Sequence, residues 1–107
     1  MQLEMRGMNF ELDEKLTDHI ERRLRFALGR FTARIRRLTV QLSDVNGPRG
    51  GIDKRCRIGV ALLPRGIVMV QGSGDDPFAL VTDSARRARR AVRRALERRR
   101  RGRALRA

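Results

Sequence analysis

Phe78, Val81, Ala85, Ala88, Val92 and Leu96 recur every three or four residues, and most of what lies off that line from residue 86 onward is arginine. A period near 3.6 with one apolar side and one charged side fits a helix lying on a core, and neither a strand nor a fully buried helix. The chain must therefore supply a second apolar surface to cover it. The charged side constrains the partner as well. Residues 84–103 carry eleven arginines and a single acid, Glu97. Arg86, Arg90, Arg94 and Arg98 stand four apart, and like charges at that spacing repel by roughly 0.2–0.5 kcal/mol per pair. A polyanion relieves that repulsion. After Leu96 the apolar rhythm stops, so residues 98–107 are expected to fray until an anion neutralises them.

The covering surface comes from four alternating stretches. In residues 2–7, Leu3 and Met5 face one way and Gln2, Glu4 and Arg6 the other. Residues 35–43 place Leu38, Val40 and Leu42 inward and Arg37, Thr39 and Gln41 outward. Residues 54–62 place Cys56, Ile58, Val60 and Leu62 on one side and Arg55 and Arg57 on the other. LPRG at 63–66 then reads as a tight turn, with Gly66 supplying positive φ, and residues 67–72 complete a hairpin. A first helix begins at Asp13, a suitable N-cap, and carries Leu16, Ile20, Leu24, Ala27, Leu28 and Phe31 as its stripe. Asp76 and Pro77 open the second helix after a GSGDD loop. The order is β-α-β-β-β-α. It predicts an α+β fold: a four-stranded sheet with both helices on one face, strands 1 and 2 parallel through a right-handed crossover, and strands 2–4 antiparallel. Residues 1–100 are expected to form one domain and 101–107 a basic tail.

A formal charge of +14 and a pI near 11.9 call for an anionic partner, and nucleic acid is the expected one. Only Lys15 and Lys54 among the 26 basic residues are lysines, and arginine offers a donor fork that suits phosphate. There is no Trp or Tyr, and the four phenylalanines (Phe10, Phe26, Phe31, Phe78) are assigned mostly to packing. Base stacking on an aromatic sheet is thereby disfavoured, and binding through shape and backbone expected. Cys56 is a lone cysteine that alternates with core positions, which excludes an internal disulfide. His19 lies at the edge of the first helical stripe and is read as a packing residue. No catalytic constellation, metal site, cofactor motif or small-molecule substrate site is expected. VNGPRGG lacks the spacing of a phosphate-cradling loop, although Arg49, beside Lys54, Arg55 and Arg57, is a candidate RNA contact. No signal-like or membrane-length apolar run occurs, and the basic helix buries mainly alanine, too little for an interfacial anchor. A cytoplasmic protein with no membrane partner is expected.

These stretches also resemble, over roughly residues 1–100, the bacterial family of ribosome hibernation-promoting factors and ribosome-associated inhibitor A. MQLEMRGMNFEL is similar to the family's first strand and link, and DEKLTDHIERRLRFALGRF to its first helix. DDPFALVTDSARRARRAVRRALERR resembles its second helix, with Asp76 and Phe78 at the acid-x-aromatic entry. DVNGPRGGIDKRCRI resembles a loop and strand found in a subset. The resemblance implies a fold related to double-stranded-RNA-binding domains, and binding to ribosomal RNA in the mRNA–tRNA channel of the small ribosomal subunit. There the factor would inhibit translation and preserve idle ribosomes under stress. It assigns RNA-binding roles to Arg23, Arg87, Arg90 and Arg94; helical geometry adds Arg22, Arg25, Arg86 and Arg93. Phe26 departs from the pattern, standing where a basic residue is expected. The chain also ends before the additional domain of the long form and lacks the inhibitor-type extension. The rival reading is a general nucleic-acid-binding protein or RNA chaperone with no specific ribosomal site.

Overall fold

Asp13 starts the first helix as its composition suggests. Its carboxylate accepts the Leu16 amide at 2.9 Å, and Glu14 adds negative charge to the first turn. In the computed structural model, residues 1–45 and 54–106 are described, with side chains as far as Gly102. The elements are β1 (Gln2–Met8), α1 (Glu14–Leu28), a 3₁₀ segment (Gly29–Arg34), β2 (Ile35–Asp44), β3 (Lys54–Leu62), β4 (Ile67–Gly74) and α2 (Pro77–Arg106). The loop holding Arg49 lies outside the described residues.

The strands form one sheet in the order β1-β2-β3-β4. β1 and β2 are parallel, with Leu3 level with Leu38; the other two pairings are antiparallel. A register irregularity between Ile35 and Arg37 explains why Ile35 and Leu38, three residues apart, both face the core while Arg36 and Arg37 both face water. Gly66 closes the β3–β4 turn at φ +103°, and its carbonyl accepts the Leu62 amide at 2.8 Å. Both helices cover the same sheet face. Ile20, Leu24 and Leu28 from α1 meet Leu38, Leu42, Ile58, Leu62, Val81 and Val92 in one buried cluster. The α+β architecture expected from periodicity is the one observed.

Three local expectations need correction. Phe78 is not in the buried stripe of α2: it is 38% exposed, and Leu80 is buried in that turn instead. The cause lies in β4, where Gly72 and Gly74 leave bare backbone that the Leu80 side chain fills. β4 itself runs two residues further than the hairpin pattern suggests. Finally, α2 does not stop after Leu96 but continues to Arg106. Arginine, alanine and leucine are all strong helix formers. In addition, the Arg99 guanidinium donates to the carbonyls of Leu63 and Arg65, tying the distal helix to the β3–β4 turn.

His19 joins the two helices. Its Nε2 is 3.0 Å from both the Phe78 carbonyl and Thr82 Oγ1, and its ring meets the Phe78 ring edge-on at 5.1 Å. A carbonyl can only accept, so Nε2 carries the proton. The residue read as packing is thus also a cross-helix donor. His19→Ala is expected to lower unfolding free energy by about 1 kcal/mol in chemical denaturation, the usual net worth of such a bond.

Cys56 is fully buried, and burial pushes its thiol pKa above the ordinary value of 9.0. The Ser84 hydroxyl offsets part of the shift, although Ser84 Oγ, itself buried, makes no hydrogen bond of ordinary geometry. The folded state therefore keeps a proton that the unfolded chain releases above pH 9. The contribution of the neutral thiol is complete below that pH and is lost as pH rises through the raised folded pKa, with a slope approaching about 1.4 kcal/mol per pH unit. Denaturation of wild type and Cys56→Ala between pH 8 and 11 should show this extra slope in the wild type only.

Candidate nucleic-acid interface

The helices run side by side in the same direction. At their N-terminal ends His19 meets Phe78 and Thr82; near their C-terminal ends Arg34, beyond α1, and Arg99, on α2, both bond the Leu63 carbonyl. That pairing orients every arginine around the helix axes. Thr82 marks the flank of α2 that faces α1, and Arg86 and Arg93 follow on that flank at helical spacing. Arg90 crowns α2 opposite the buried line of Val81, Ala85, Ala88 and Val92. Arg87 and Arg94 descend the other slope, toward β4, where Arg87 donates to the Gln71 carbonyl at 2.8 Å. On α1, Arg23 lies on the side turned toward α2, Arg25 lies on the side turned away, and Arg22 stands on the outer crown, where Asp18, Glu21, Arg22 and Arg25 line one shallow depression.

All eight sequence-predicted arginines are exposed. The structure gathers Arg23, Arg86, Arg90 and Arg93 along the ridges of one interhelical groove, and leaves Arg22 on the outer face of α1 beside Asp18, Glu21 and Arg25. It sets Arg87 and Arg94 on a neighbouring slope and Arg25 apart, where its guanidinium pairs with Glu21 at 3.0 Å. That exposed i,i+4 pair is worth only about 0.3–0.5 kcal/mol, so Arg25 stays exchangeable. The spacing puts Arg89, half-buried, on the α1-facing flank between Arg86 and Arg93. No acid, aromatic or turn marks Arg89 in the sequence, and its place shows only once α1 is docked.

Two further basic features lie away from the groove. The open sheet face exposes Arg6, Arg37, Arg55 and Arg57, with Arg37 Nε 3.8 Å from Glu4. A cleft under the β3–β4 turn is lined by Arg34, Arg65, Arg98 and Arg99. Phosphate oxygens match these guanidinium forks, and a groove with walls of one sign concentrates polyanions. Among the described residues, no cluster of three His, Cys, Asp or Glu side chains could hold a metal ion, and no helix is long and apolar enough to cross a membrane.

The chain has solved structural relatives. It is similar to the N-terminal domain of Protein Y from Thermus thermophilus, at 26% identity and a TM-score of 0.71 over 88% of this chain and 98% of that one. Its fold is also similar to that of a ribosomal subunit interface protein from Coxiella burnetii, at 17% identity and a TM-score of 0.72 over 90% of this chain and 99% of that one. No curated protein matches the sequence significantly. A family model described as sigma 54 modulation protein / S30EA ribosomal protein matches residues 3–100. Because that match spans nearly the whole chain and agrees with the fold, the chain belongs to the sigma 54 modulation protein / S30EA ribosomal protein family.

Proposed function

We propose that this protein is a non-enzymatic, ribosome-associated translation inhibitor of the hibernation type, acting in the cytoplasm. It occupies the mRNA–tRNA channel of the small ribosomal subunit and holds ribosomal RNA through the arginines of its two helices. The observation that carries this reading is the groove itself: guanidinium groups from α1 and α2 converge on one side of the domain in a chain whose family is ribosomal. Affinity comes chiefly from arginine–phosphate contacts, and selectivity from the fit of paired helices to a folded RNA surface.

The deciding experiment is co-sedimentation with purified small subunits at near-physiological salt, with and without mRNA and initiator tRNA already bound. Saturable one-to-one binding that the pre-bound ligands prevent is the expected outcome. Weak, unsaturable binding indifferent to them, and equally competed by duplex DNA, would leave a general nucleic-acid-binding protein instead.

The same assay repeated across a salt series tests the electrostatic mechanism. Log affinity should fall linearly with log salt concentration, and each phosphate-contacting arginine replaced by alanine should reduce the slope by about one unit. A salt-independent affinity would contradict phosphate recognition.

A further inference from the structure

Of the four phenylalanines, three have partners. Phe10 and Phe31 pack against the core, and Phe78 meets the His19 ring. Phe26 is 81% exposed, more than any other large apolar residue among those described. Isolated surface apolar residues are common and need no explanation by themselves. The placement of this one is what matters. Phe26 follows His19 by seven residues and so lies on nearly the same line of α1, the line turned toward α2, about 10 Å further along the axis. At that level α2 presents Arg86, Arg89 and Arg93. On α1 itself Arg22 and Arg23 lie within one turn, and Arg30, just past the helix end, is exposed as well. The ring thus stands uncovered on the rim of the arginine groove.

We propose that Phe26 is a stacking platform for an unpaired nucleobase of the bound RNA. The inference deepens the proposed function and rests on it for the RNA. The charge around the ring selects the occupant. An apolar protein surface docking here would have to desolvate several guanidinium groups without neutralising them. A nucleotide brings a phosphate for the arginines and a π-face for the ring in one unit. Stacking on an aromatic ring is sequence-tolerant, because every base has a π-face. The groove would then combine backbone recognition with one base held out of its helix. Recognition by aromatics, which the sheet does not offer, is supplied instead by a single ring on a helix.

Phe26→Ala, Phe26→Leu and Phe26→Trp separate stacking from simple apolar contact, and at so exposed a position all three should keep the wild-type fold by circular dichroism. In small-subunit co-sedimentation, Ala and Leu are expected to weaken binding roughly five- to 150-fold, the range found for losing one base–aromatic stack, while Trp binds at least as well as Phe. The chain has no tryptophan, so Phe26→Trp also introduces a single emitter. A 20-nucleotide oligoadenylate should quench it, and inorganic polyphosphate, which has charge but no bases, should not. Leu binding subunits as tightly as Phe, or emission indifferent to oligoadenylate, would overturn the inference. Failure of the wild-type chain to sediment with subunits would overturn the ribosomal reading, and the oligoadenylate titration alone would then decide the role of Phe26.

Discussion

Replacing Arg86, Arg90 and Arg93 together with glutamate is expected to abolish small-subunit binding, weakening it on the order of 100-fold or more at physiological salt while leaving the fold intact. All three side chains are exposed and none contributes to the buried cluster. Each replacement removes one positive charge from the α1-facing ridge and crown of α2 and adds one negative charge, lowering the formal charge from +14 to +8 in all. Within α2 the reversal turns the 90/94 and 89/93 pairs attractive, leaves 86/90 repulsive and makes 93/97 repulsive against Glu97, so the changes of a few tenths of a kcal/mol nearly cancel. Thermal denaturation should therefore show stability nearly unchanged. Arg25→Glu is the control for charge reversal outside the groove. It reverses charge on the side of α1 away from the groove and should cost only a few-fold in affinity through the long-range field. A log-affinity loss in the triple variant only three times that of the control, which its threefold larger charge change alone would give, would mean that net charge, not the groove, governs binding. Retained binding by the triple variant would refute the helical interface.

The second large effect concerns stability. Leu24→Ala should destabilise the fold by about 2–5 kcal/mol. Leu24 is fully buried, between α1 and the sheet, and the lost side chain leaves a cavity that neighbours from two layers can only partly fill. Against a total of roughly 5–15 kcal/mol for a small domain, that is a large share. A melting temperature lowered by about 10–30 °C is expected, measured by circular dichroism. RNA binding by this variant should follow its folded fraction, falling only as it unfolds. The contrast with the arginine triple is diagnostic. One variant loses binding while folded, and the other loses binding because it is no longer folded.

Most of the architecture was legible because two periods, 2.0 and 3.6, are hard to confuse over stretches this long. Leu38, Val40 and Leu42 can share a face only in a strand, and Ile20, Leu24 and Ala27 only in a helix. What escaped was decided by neighbours distant in sequence. Phe78 looks like core by spacing, yet Leu80 is the residue buried there, because Gly72 and Gly74 on β4 open a space that only the packed structure reveals. The end of α2 looked unsupported because Arg99 reads as one more charge. Its contacts with the Leu63 and Arg65 carbonyls exist only after the β3–β4 turn has folded beside it.

The candidate site divides in the same way. That arginines cluster on one side of α2, away from the apolar stripe, is a property of the sequence, since helical spacing alone separates Arg90 from Val92. Polyanion binding as the expectation follows from that separation and the +14 charge. Which arginines share a groove is not a local property. Arg23 and Arg93 are seventy residues apart, and Arg23 and Arg25 differ in value only because one turns toward α2 and the other away. Phe26 stands off the apolar stripe in the sequence, where a basic residue is expected, and only the fold shows it as an exposed ring at a basic rim. Side-chain periodicity encodes which face of each element is apolar, and so the sequence by itself determined the elements, the layers and the sign of the partner. The angle and rotation at which two helices meet arise from packing among residues far apart in the chain, and so only the tertiary structure decided what stands together in the groove.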